Sequence, residues 1–327
     1  MKVLLSGVQP TGSLHLGNYE GALKNFVHLQ NSGEYDCYYF IADWHALTVL
    51  NDNTEQLRNN IYELIADFLS AGLSPDKSVL FLQSSVKEHA ELHLLFSMII
   101  PKSWLERVPS YKEKASELGL DSYGFLGYPL LQSADILIYR ADAVPVGKDQ
   151  CPHIELTREV ARRFNSLYGS VIPEPKELLT QFPLLPGTDG KKMSKSYDNI
   201  ICMKDEPDVV QAKVRTMFTD PLKIHRDDPG HPETCPVYAL HSIYNPDHKI
   251  FVEDCKSGSK EWGCVKCKKL LSEKLIEHFA EYREKRRIYL SDKAQLDNIL
   301  KIGSEKARDR AGKTMRMIRK AMKLFEI

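Results

Sequence analysis

VLLSG at residues 3–7 and PTGSLHLGN at residues 10–18 indicate how the first half of the chain folds. The apolar run has the length of one buried strand, and the Pro, Thr and Gly after it predict a turn. The spacing then predicts a helix with His15, Gly17 and Asn18 at its mouth. A strand followed at once by a turn and a helix is typical of the first unit of an α/β sheet.

Three later apolar runs predict further buried strands: CYYFIAD (37–43), SVLFLQ (78–83) and DILIY (135–139). Segments with helical spacing lie between them, most clearly residues 54–73, with Asn53 or Thr54 as the N-cap. This alternation predicts a Rossmann-like, doubly wound parallel sheet of the α/β class. Because such sheets bind ligands at the carboxyl ends of their strands, residues 10–18 are expected at the ligand-binding edge.

Length and composition set broader limits. With 327 residues the chain is long enough for two domains, and 43% hydrophobic with 27% charged residues is ordinary for a globular protein. No apolar run approaches the ~20 residues of a membrane helix, and MKVLLSG lacks the apolar region of a signal peptide. We therefore expect a cytoplasmic protein with no membrane partner. Its cysteines should be reduced rather than paired in disulfides.

The last third of the chain has a different pattern. Apolar residues recur at helical intervals from Leu270 to Tyr282 and from Ala307 to Phe325. Residues 305–327 hold eight Lys or Arg against three acidic residues, which is most simply a solvated polar face. We predict a catalytic domain over 1–200, a helical domain over 201–310 and a C-terminal helix over 311–327 that packs back on the first domain.

The segment KKMSKS at 191–196 adds a second motif, preceded by the loop LPGTDG. Lys192 and Lys195 lie three residues apart beside glycines that allow bending, so both ammonium groups can reach a triphosphate. Mobile cations that meet a leaving pyrophosphate lower the barrier rather than tighten substrate binding. Lysines alone would indicate a solvated basic loop, and His15 alone a chance N-cap histidine. Together the two motifs favour nucleotide chemistry.

HLGN (15–18) and KMSKS (192–196) resemble the two signature motifs of class I aminoacyl-tRNA synthetases. The chain most resembles the tryptophanyl enzymes, through SGVQPTG, ADWHA, LERVPSYKEK, YPLLQSADILIY, VPVGKDQ and HIELTREVARRFN. Leu16 and Asn18 depart from the commoner HIGH form, as in those enzymes. The resemblance implies a Rossmann-like catalytic domain, a helical anticodon-binding domain, ATP with Mg²⁺, L-tryptophan and tRNA(Trp) as ligands, and a homodimer.

The resemblance also implies roles for individual residues in activating the amino acid. No covalent nucleophile is needed, only positioning and charge stabilisation. The expected catalytic residues are His15, Asn18, Lys112, Lys192 and Lys195. The expected ATP-binding residues are Gln9, Pro10, Thr11, Gly17, Asn18, Gly147, Lys148, Asp149, Lys192, Met193, Ser194, Lys195 and Ser196, with Gly147 and Asp149 at the ribose.

For tryptophan, the site needs an apolar slot and one acceptor for the indole N–H. The resemblance assigns the acceptor to Asp135 and places Tyr128 and Gln150 near the amino group. The remaining expected lining residues are Leu5, Gly7, His45, Gln132 and Val146. From sequence alone, a local cap or ion pair is the simpler interpretation of Asp135. A tyrosyl enzyme is the nearest competitor, but its pocket requires an additional donor for the phenol.

Four late cysteines predict a metal site: Cys235, Cys255, Cys264 and Cys267, the last two spaced as C-x₂-C. Sulfur-only ligation suits zinc and an iron-sulfur cluster about equally. Resemblance to a subset of tryptophanyl enzymes favours a [4Fe-4S] cluster, with structural Zn²⁺ as the alternative. Four inert thiols remain a further possibility, and Cys37, Cys151 and Cys202 are best interpreted in that way.

Two other classes of function stay open on the sequence. A small-molecule nucleotidyltransferase uses a similar histidine-containing loop but needs neither KMSKS nor a basic helical domain. A nucleic-acid-binding protein derived from the synthetase fold is expected to have lost active-site residues, and here the signatures are intact.

Overall fold

The computed structural model describes residues 1–50, 54–118, 122–179, 185–225, 227–259 and 261–325. The chain forms two compact units. The sheet unit comprises Met1–Gly12, Lys24–Gln181 and Tyr289–Ile327, and the helical unit comprises Ser13–Leu23 and Phe182–Ile288. None of the helices in the described part of the chain combines the length and apolar character needed to cross a membrane.

The sheet unit contains five parallel strands in the order β3-β2-β1-β4-β5. They are β1 (Lys2–Val8), β2 (Tyr35–Ile41), β3 (Ser78–Leu82), β4 (Ala143–Val146) and β5 (Lys176–Leu179). The predicted Rossmann-like α/β class is confirmed, and three of the predicted strands correspond to β1, β2 and β3. The strand order reverses between β1 and β4, which makes the carboxyl ends of these two strands the expected ligand crevice.

The prediction of a strand at DILIY is wrong. Residues 135–138 form the end of the helix Tyr123–Ile138, and the fourth strand is Ala143–Val146. The helix is buried almost all round from Ser133 onward. A short apolar run with no exposed face has the same appearance in a buried helix and in a buried strand, so periodicity does not separate them.

Helices cover the sheet and carry part of the site. Those whose residues belong to the sheet unit are α2 (Lys24–Ser32), α3 (Asp43–Leu50), α4 (Leu57–Ser70), α5 (Glu88–Ser97), α6 (Lys102–Glu106), α7 (Pro109–Leu118), α8 (Tyr123–Ile138), α9 (Cys151–Tyr168) and α15 (Lys293–Ala321). The predicted helix within 54–73 is α4. Its N-cap is Gln56 rather than Thr54, and Asn53 lies outside the described residues.

The helical unit holds α1 (Leu16–Asn18), the π-helical turn Tyr19–Leu23, α10 (Pro207–Thr216), α11 (Pro236–Tyr244), α12 (Val252–Lys256) and α13 (Cys264–His278). The helix α14 (Ala280–Ser291) runs through the boundary at residue 288. Buried Leu271, Leu275, Phe279 and Tyr282 follow the spacing seen in the sequence. The last third is therefore helical, as predicted.

The two units divide the chain differently from the expected domains. Residues 13–23 and 182–200, expected in the catalytic domain, belong to the helical unit. Residues 289–310, expected in the helical domain, belong to the sheet unit together with 311–327. The physical reason is α15, whose Ala307, Ala311, Met315 and Ile318 are fully buried in the core of the sheet unit. One long helix carries both segments, so no boundary falls at residue 310.

Candidate functional site

The two signature segments are neighbours within the helical unit. His15 forms an antiparallel bridge with Cys202, just after KMSKS ends at Ser196. The amide of Leu16 donates to the carbonyl of Ile201 at 3.0 Å. The amide of Met203 donates to the carbonyl of Leu14 at 3.2 Å. The histidine-bearing turn is thus hydrogen-bonded to the chain that leaves the lysine loop.

His15 is an uncharged imidazole at neutral pH. Its side chain is buried, and burial followed by the positive charge of Lys195 lowers its pKa to about 4. The buried Nδ1 atom has no hydrogen-bond partner among the described residues. A buried polar atom left in this way is available for a further hydrogen bond. His15 is therefore suited to hydrogen-bond a nucleotide without adding a charge.

Gly17 and Asn18 support this turn in ways that the sequence did not reveal. A Cβ atom on Gly17 would lie 3.0 Å from the His15 ring, so Gly17 leaves room for the imidazole. The side-chain oxygen of Asn18 accepts the His15 amide at 3.1 Å. The NH₂ group of Asn18 then remains as a hydrogen-bond donor.

The KMSKS loop is a short hairpin. Gly187 donates to Lys191 at 2.7 Å and Met193 donates to Leu185 at 2.9 Å, with Gly190 at φ +83° closing the turn. The Met193 side chain is buried, whereas Lys192, Lys195 and Ser196 are exposed and Ser194 is half-buried. One buried apolar side chain therefore anchors the segment, while both lysine side chains remain exposed.

Asn199 fixes this hairpin and was missed by sequence reasoning. It is fully buried, and its Nδ2 donates to Asp189 at 2.7 Å and to the carbonyl of Lys192 at 3.0 Å. Its Oδ1 accepts the amide of Ser194 at 2.8 Å. An asparagine three residues after a recognised motif gives no specific pattern, so only the structure identifies this role.

The sheet unit places the other expected nucleotide residues at the reversal of strand order. Gln9, Pro10 and Thr11 follow β1, while Gly147, Lys148 and Asp149 follow β4. A Cβ atom on Gly147 would meet the Asp149 carboxylate at 2.6 Å, so that carboxylate folds over the Gly147 backbone. Gln150 donates to Asp149 at 3.1 Å, and Lys112 is exposed on α7.

Asp135 lies at the centre of a buried polar network in the sheet unit. His45 Nε2 is 2.7 Å from Oδ2, His89 Nδ1 is 2.6 Å from Oδ1, and Gln83 Nε2 is 2.9 Å from both oxygens. Burial alone would raise the pKa of Asp135, but the charge and hydrogen bonds of His45 and His89 outweigh it and lower the pKa. The residue is therefore a carboxylate with several donors.

Sequence reasoning found Asp135 and His45 but missed Gln83 and His89. Gln83 directly follows β3, and His89 is in the first turn of α5. Their positions at the carboxyl side of a strand were the available signal. His93 on α5 also senses Asp135 and His45, and burial lowers its pKa.

The remaining expected lining residues are distributed around this unit. Leu5 is buried on β1, whereas Gln132 and Val146 are half-buried. A Cβ atom on Gly7 would lie 2.4 Å from the Phe40 ring, so Gly7 leaves room for that ring. The Tyr128 hydroxyl lies 2.7 Å from Ser110 Oγ, which also contacts His153 Nε2 at 2.9 Å.

The four late cysteines line one small cavity in the helical unit, of about 30 Å³. Cys264 and Cys267 start α13, Cys255 is on α12 and Cys235 precedes α11. Burial and then mutual repulsion raise the pKa of Cys267, while its interaction with Trp262 lowers it. Within the described ranges, no three His, Cys, Asp or Glu side chains are grouped closely enough to hold a metal ion.

Comparison with known proteins decides the family. A family model described as tRNA synthetases class I (W and Y) matches residues 2–280. The chain belongs to this family. The tryptophan–tRNA ligase of Thermotoga maritima is 50% identical over 328 residues, covering 98% of this chain and 99% of that protein. That of Aquifex aeolicus is 44% identical over 396 residues, covering 98% and 99%.

A solved structure of the same family supports the fold. The crystal structure of tryptophanyl-tRNA synthetase from Campylobacter jejuni, complexed with ADP and tryptophan, is 36% identical and has a TM-score of 0.90. The match covers 99% of this chain and 100% of that one. The resemblance to class I synthetases is thus confirmed, and membership of the iron-sulfur subset stays a prediction.

Proposed function

We propose that the chain is an ATP-dependent tryptophan–tRNA ligase. The carboxylate of L-tryptophan attacks the α-phosphorus of ATP, the bond to the β-phosphate breaks, and pyrophosphate leaves. A hydroxyl at the 3′ end of tRNA(Trp) then attacks the carbonyl carbon of the adenylate, and AMP leaves. The full-length relatives of 44% and 50% identity carry the same activity in their names.

The proximity of His15 and Lys195 carries this proposal. A neutral imidazole and a flexible ammonium group lie close enough for Lys195 to lower the pKa of His15. The imidazole hydrogen-bonds phosphate oxygens in the ground state, and the ammonium group meets negative charge as it grows on the pyrophosphate. A basic loop that interacts only with solvent does not account for its position beside a buried histidine, whose Nδ1 has no hydrogen-bond partner among the described residues.

Further residues complete the proposed sites. Gln9, Pro10, Thr11, Gly147, Lys148 and Asp149 hold the nucleoside and ribose, with Mg²⁺ bound mainly by the phosphates. The remaining proposed ATP-binding residues are Gly17, Asn18, Lys192, Met193, Ser194 and Ser196, and Lys112 supports catalysis. Asp135 takes the indole N–H within a pocket lined by Leu5, Gly7, His45, Gln132 and Val146. Tyr128 and Gln150 approach the amino group.

ATP–pyrophosphate exchange with each of the twenty amino acids tests the function. We expect exchange with tryptophan only. Exchange with tyrosine alone would overturn the substrate, and exchange with none would leave a nucleotidyltransferase or a nucleic-acid-binding protein as the better interpretation.

We also propose a thiolate-ligated group at Cys235, Cys255, Cys264 and Cys267, with [4Fe-4S] as first choice and Zn²⁺ as alternative. Four sulfurs around one cavity form a donor set that suits either group. Trp262 lowers the pKa of Cys267 against the larger rise that burial causes, and so favours its thiolate.

Elemental analysis of the full chain purified without air tests this site. We expect iron and sulfide with a brown colour, and zinc alone would select the alternative. Cys264→Ser should lose the group while tryptophan-dependent exchange persists, and Cys151→Ser, at a cysteine outside the set, should keep it. Full metal content in the Cys264→Ser protein would contradict the site.

The proposed enzyme acts in the cytoplasm, where translation uses its product, and forms a symmetric homodimer. Leu94 on α5 and Met98, which directly follows that helix, lie four residues apart and remain 53% and 69% exposed, which supports an interface at the end of the helix. Sedimentation of the native chain and of Met98→Glu tests it: we expect dimers for the first and more monomer for the second. A monomeric native chain would contradict the dimer.

A further inference from the structure

Three donor atoms contact the two oxygens of Asp135 in this structure. A carboxylate offers about four lone-pair directions on its two oxygens. His89 and Gln83 lie within 2.6 and 2.9 Å of Oδ1, and His45 and Gln83 lie within 2.7 and 2.9 Å of Oδ2. An indole N–H that approaches this carboxylate therefore competes with three donors already in place, and the donor that is held least firmly is the one expected to move.

Gln83 cannot move cheaply. It is fully buried, and its Oε1 also accepts the amide of Trp44 at 3.1 Å. The side-chain amide is thus held at both ends. Rotating it away from Asp135 would leave buried polar atoms without partners, which is unfavourable.

His89 is held at both ends in the same way. Its Nδ1 contacts Asp135, and its Nε2 lies 2.8 Å from the Tyr139 hydroxyl. Burial and the charge of Asp135 raise the pKa of Tyr139 well above its ordinary value, so the phenol keeps its proton. The Tyr139 O–H then donates to His89 Nε2, which leaves Nδ1–H to donate to Asp135. Tyr139 in this way selects the tautomer that faces the carboxylate.

His45 differs from both. Its side chain is 8% exposed, against 0% for His89 and 1% for Asp135. A ring that reaches the surface can exchange its hydrogen bond for one to water. Of these donors, His45 is the one whose departure costs least.

We infer that His89 and Tyr139 are a positioning pair that holds the Asp135 carboxylate for an indole N–H, and that His45 is the donor which the indole replaces. This inference rests on the proposed assignment of Asp135 to tryptophan. The pair sets the preference for an amino acid that carries a ring N–H, while His45 keeps the carboxylate paired when the pocket has no substrate.

The test compares tryptophan with 3-benzothienylalanine, in which sulfur replaces the indole N–H, in ATP–pyrophosphate exchange. Tyr139→Phe removes one hydroxyl and should lower the preference for tryptophan, as a ratio of kcat/KM, by roughly 3- to 10-fold through KM. The kcat and the KM for ATP should stay near the native values. His45→Ala should raise the preference for tryptophan, because the indole N–H then has no donor to displace, whereas the sulfur analogue displaces none in either protein.

A matched control is Tyr38→Phe, which deletes a hydroxyl from a neighbouring ring, 5.3 Å from Tyr139 between ring centroids and outside the hydrogen-bond chain to Asp135. It should leave the preference unchanged. His89→Asn keeps an N–H near the place of Nδ1 and should retain more of the preference than His89→Ala. These comparisons separate positioning from a general loss of stability, which would affect kcat and both substrates alike.

The outcomes distinguish this inference from the assignment on which it rests. If Asp135→Asn leaves the preference unchanged, Asp135 does not receive the indole and the assignment fails. If Asp135→Asn lowers the preference but Tyr139→Phe does not, the positioning pair is wrong. If His45→Ala lowers it as much as Asp135→Asn, His45 is a permanent part of the pocket rather than the displaced donor.

Discussion

Asp135 in the sheet unit and Lys195 in the helical unit represent opposite ways of placing a charge. The Asp135 carboxylate is buried and surrounded by donors at 2.6 to 2.9 Å, whereas the Lys195 side chain is exposed just after a hairpin. A fixed charge suits recognition of a ground-state group, because the cost of ordering it is met during folding. A movable charge suits a group whose charge appears only in the transition state.

Replacing Lys195 tests the movable half of this comparison and should give the largest effect. Lys195→Ala removes a cation that meets the pyrophosphate as its charge grows, so kcat for exchange should fall about 10²- to 10³-fold. The KM for tryptophan should stay nearly constant. Steady-state exchange kinetics measure both. Lys191→Ala, at the exposed lysine just outside the signature, is the control and should change little; a fall in kcat equal to that of Lys195→Ala would refute the role.

Replacing Asp135 tests the role of the fixed charge in this comparison. Asp135→Asn keeps the shape but halves the acceptor capacity, and it places an NH₂ group against donors. We expect kcat/KM for tryptophan to fall about 10- to 100-fold, mainly through KM. An unchanged KM with a reduced kcat would show that this carboxylate does not recognise substrate.

A smaller effect is expected at Asn199, a buried residue that holds the loop carrying the lysines by hydrogen bonds. Asn199→Ala removes hydrogen bonds to Asp189, Lys192 and Ser194 and leaves buried groups unpaired, at about 1 to 3 kcal/mol of unfolding free energy. ATP–pyrophosphate exchange should slow about 10-fold, because the loop that positions the lysines is no longer held in place. Asp189→Ala, which breaks one of these contacts, should have a smaller effect on both thermal unfolding and exchange. Equal effects from both changes would contradict the anchoring role.

The sequence allowed much of this comparison to be predicted, and the exceptions have physical causes. The sequence predicted the strand and turn within residues 3–18 and the strands β2 and β3. Periodicity and turn residues are local signals, so they identify such elements without knowledge of the fold. The run DILIY was misassigned because a fully buried helix lacks a polar face. The long α15 crossed an expected domain boundary because its small buried residues pack on a sheet formed some two hundred residues earlier.

The site shows the same limit. His15, Lys195 and Asp135 belong to motifs with a chemical meaning, so their positions could be expected. Other residues of the site could not be expected from the sequence. Three of them act through contacts with residues distant in sequence, namely Gln83, His89 and Tyr139. Asn199 contacts nearby residues but belongs to no motif. Motifs predicted the groups proposed to contact substrate. The groups that hold those side chains in place were identified only from the structure.

The central claim is that the His15 turn and the KMSKS lysines face one another, and the pKa of His15 tests it most directly. In the folded chain this pKa is lowered from 6.5 to about 4, by burial first and by Lys195 second. Because the unfolded chain binds the proton more readily, His15 lowers stability progressively as the pH falls from 6.5 towards 4, and has no such effect above 6.5. NMR titration of the imidazole in the native chain and in Lys195→Ala measures the contribution of the lysine. We predict a midpoint near 4 in the native chain that rises in Lys195→Ala but stays below 6.5; a midpoint near 6.5 in the native chain, or one that Lys195→Ala leaves unchanged, would contradict the proximity.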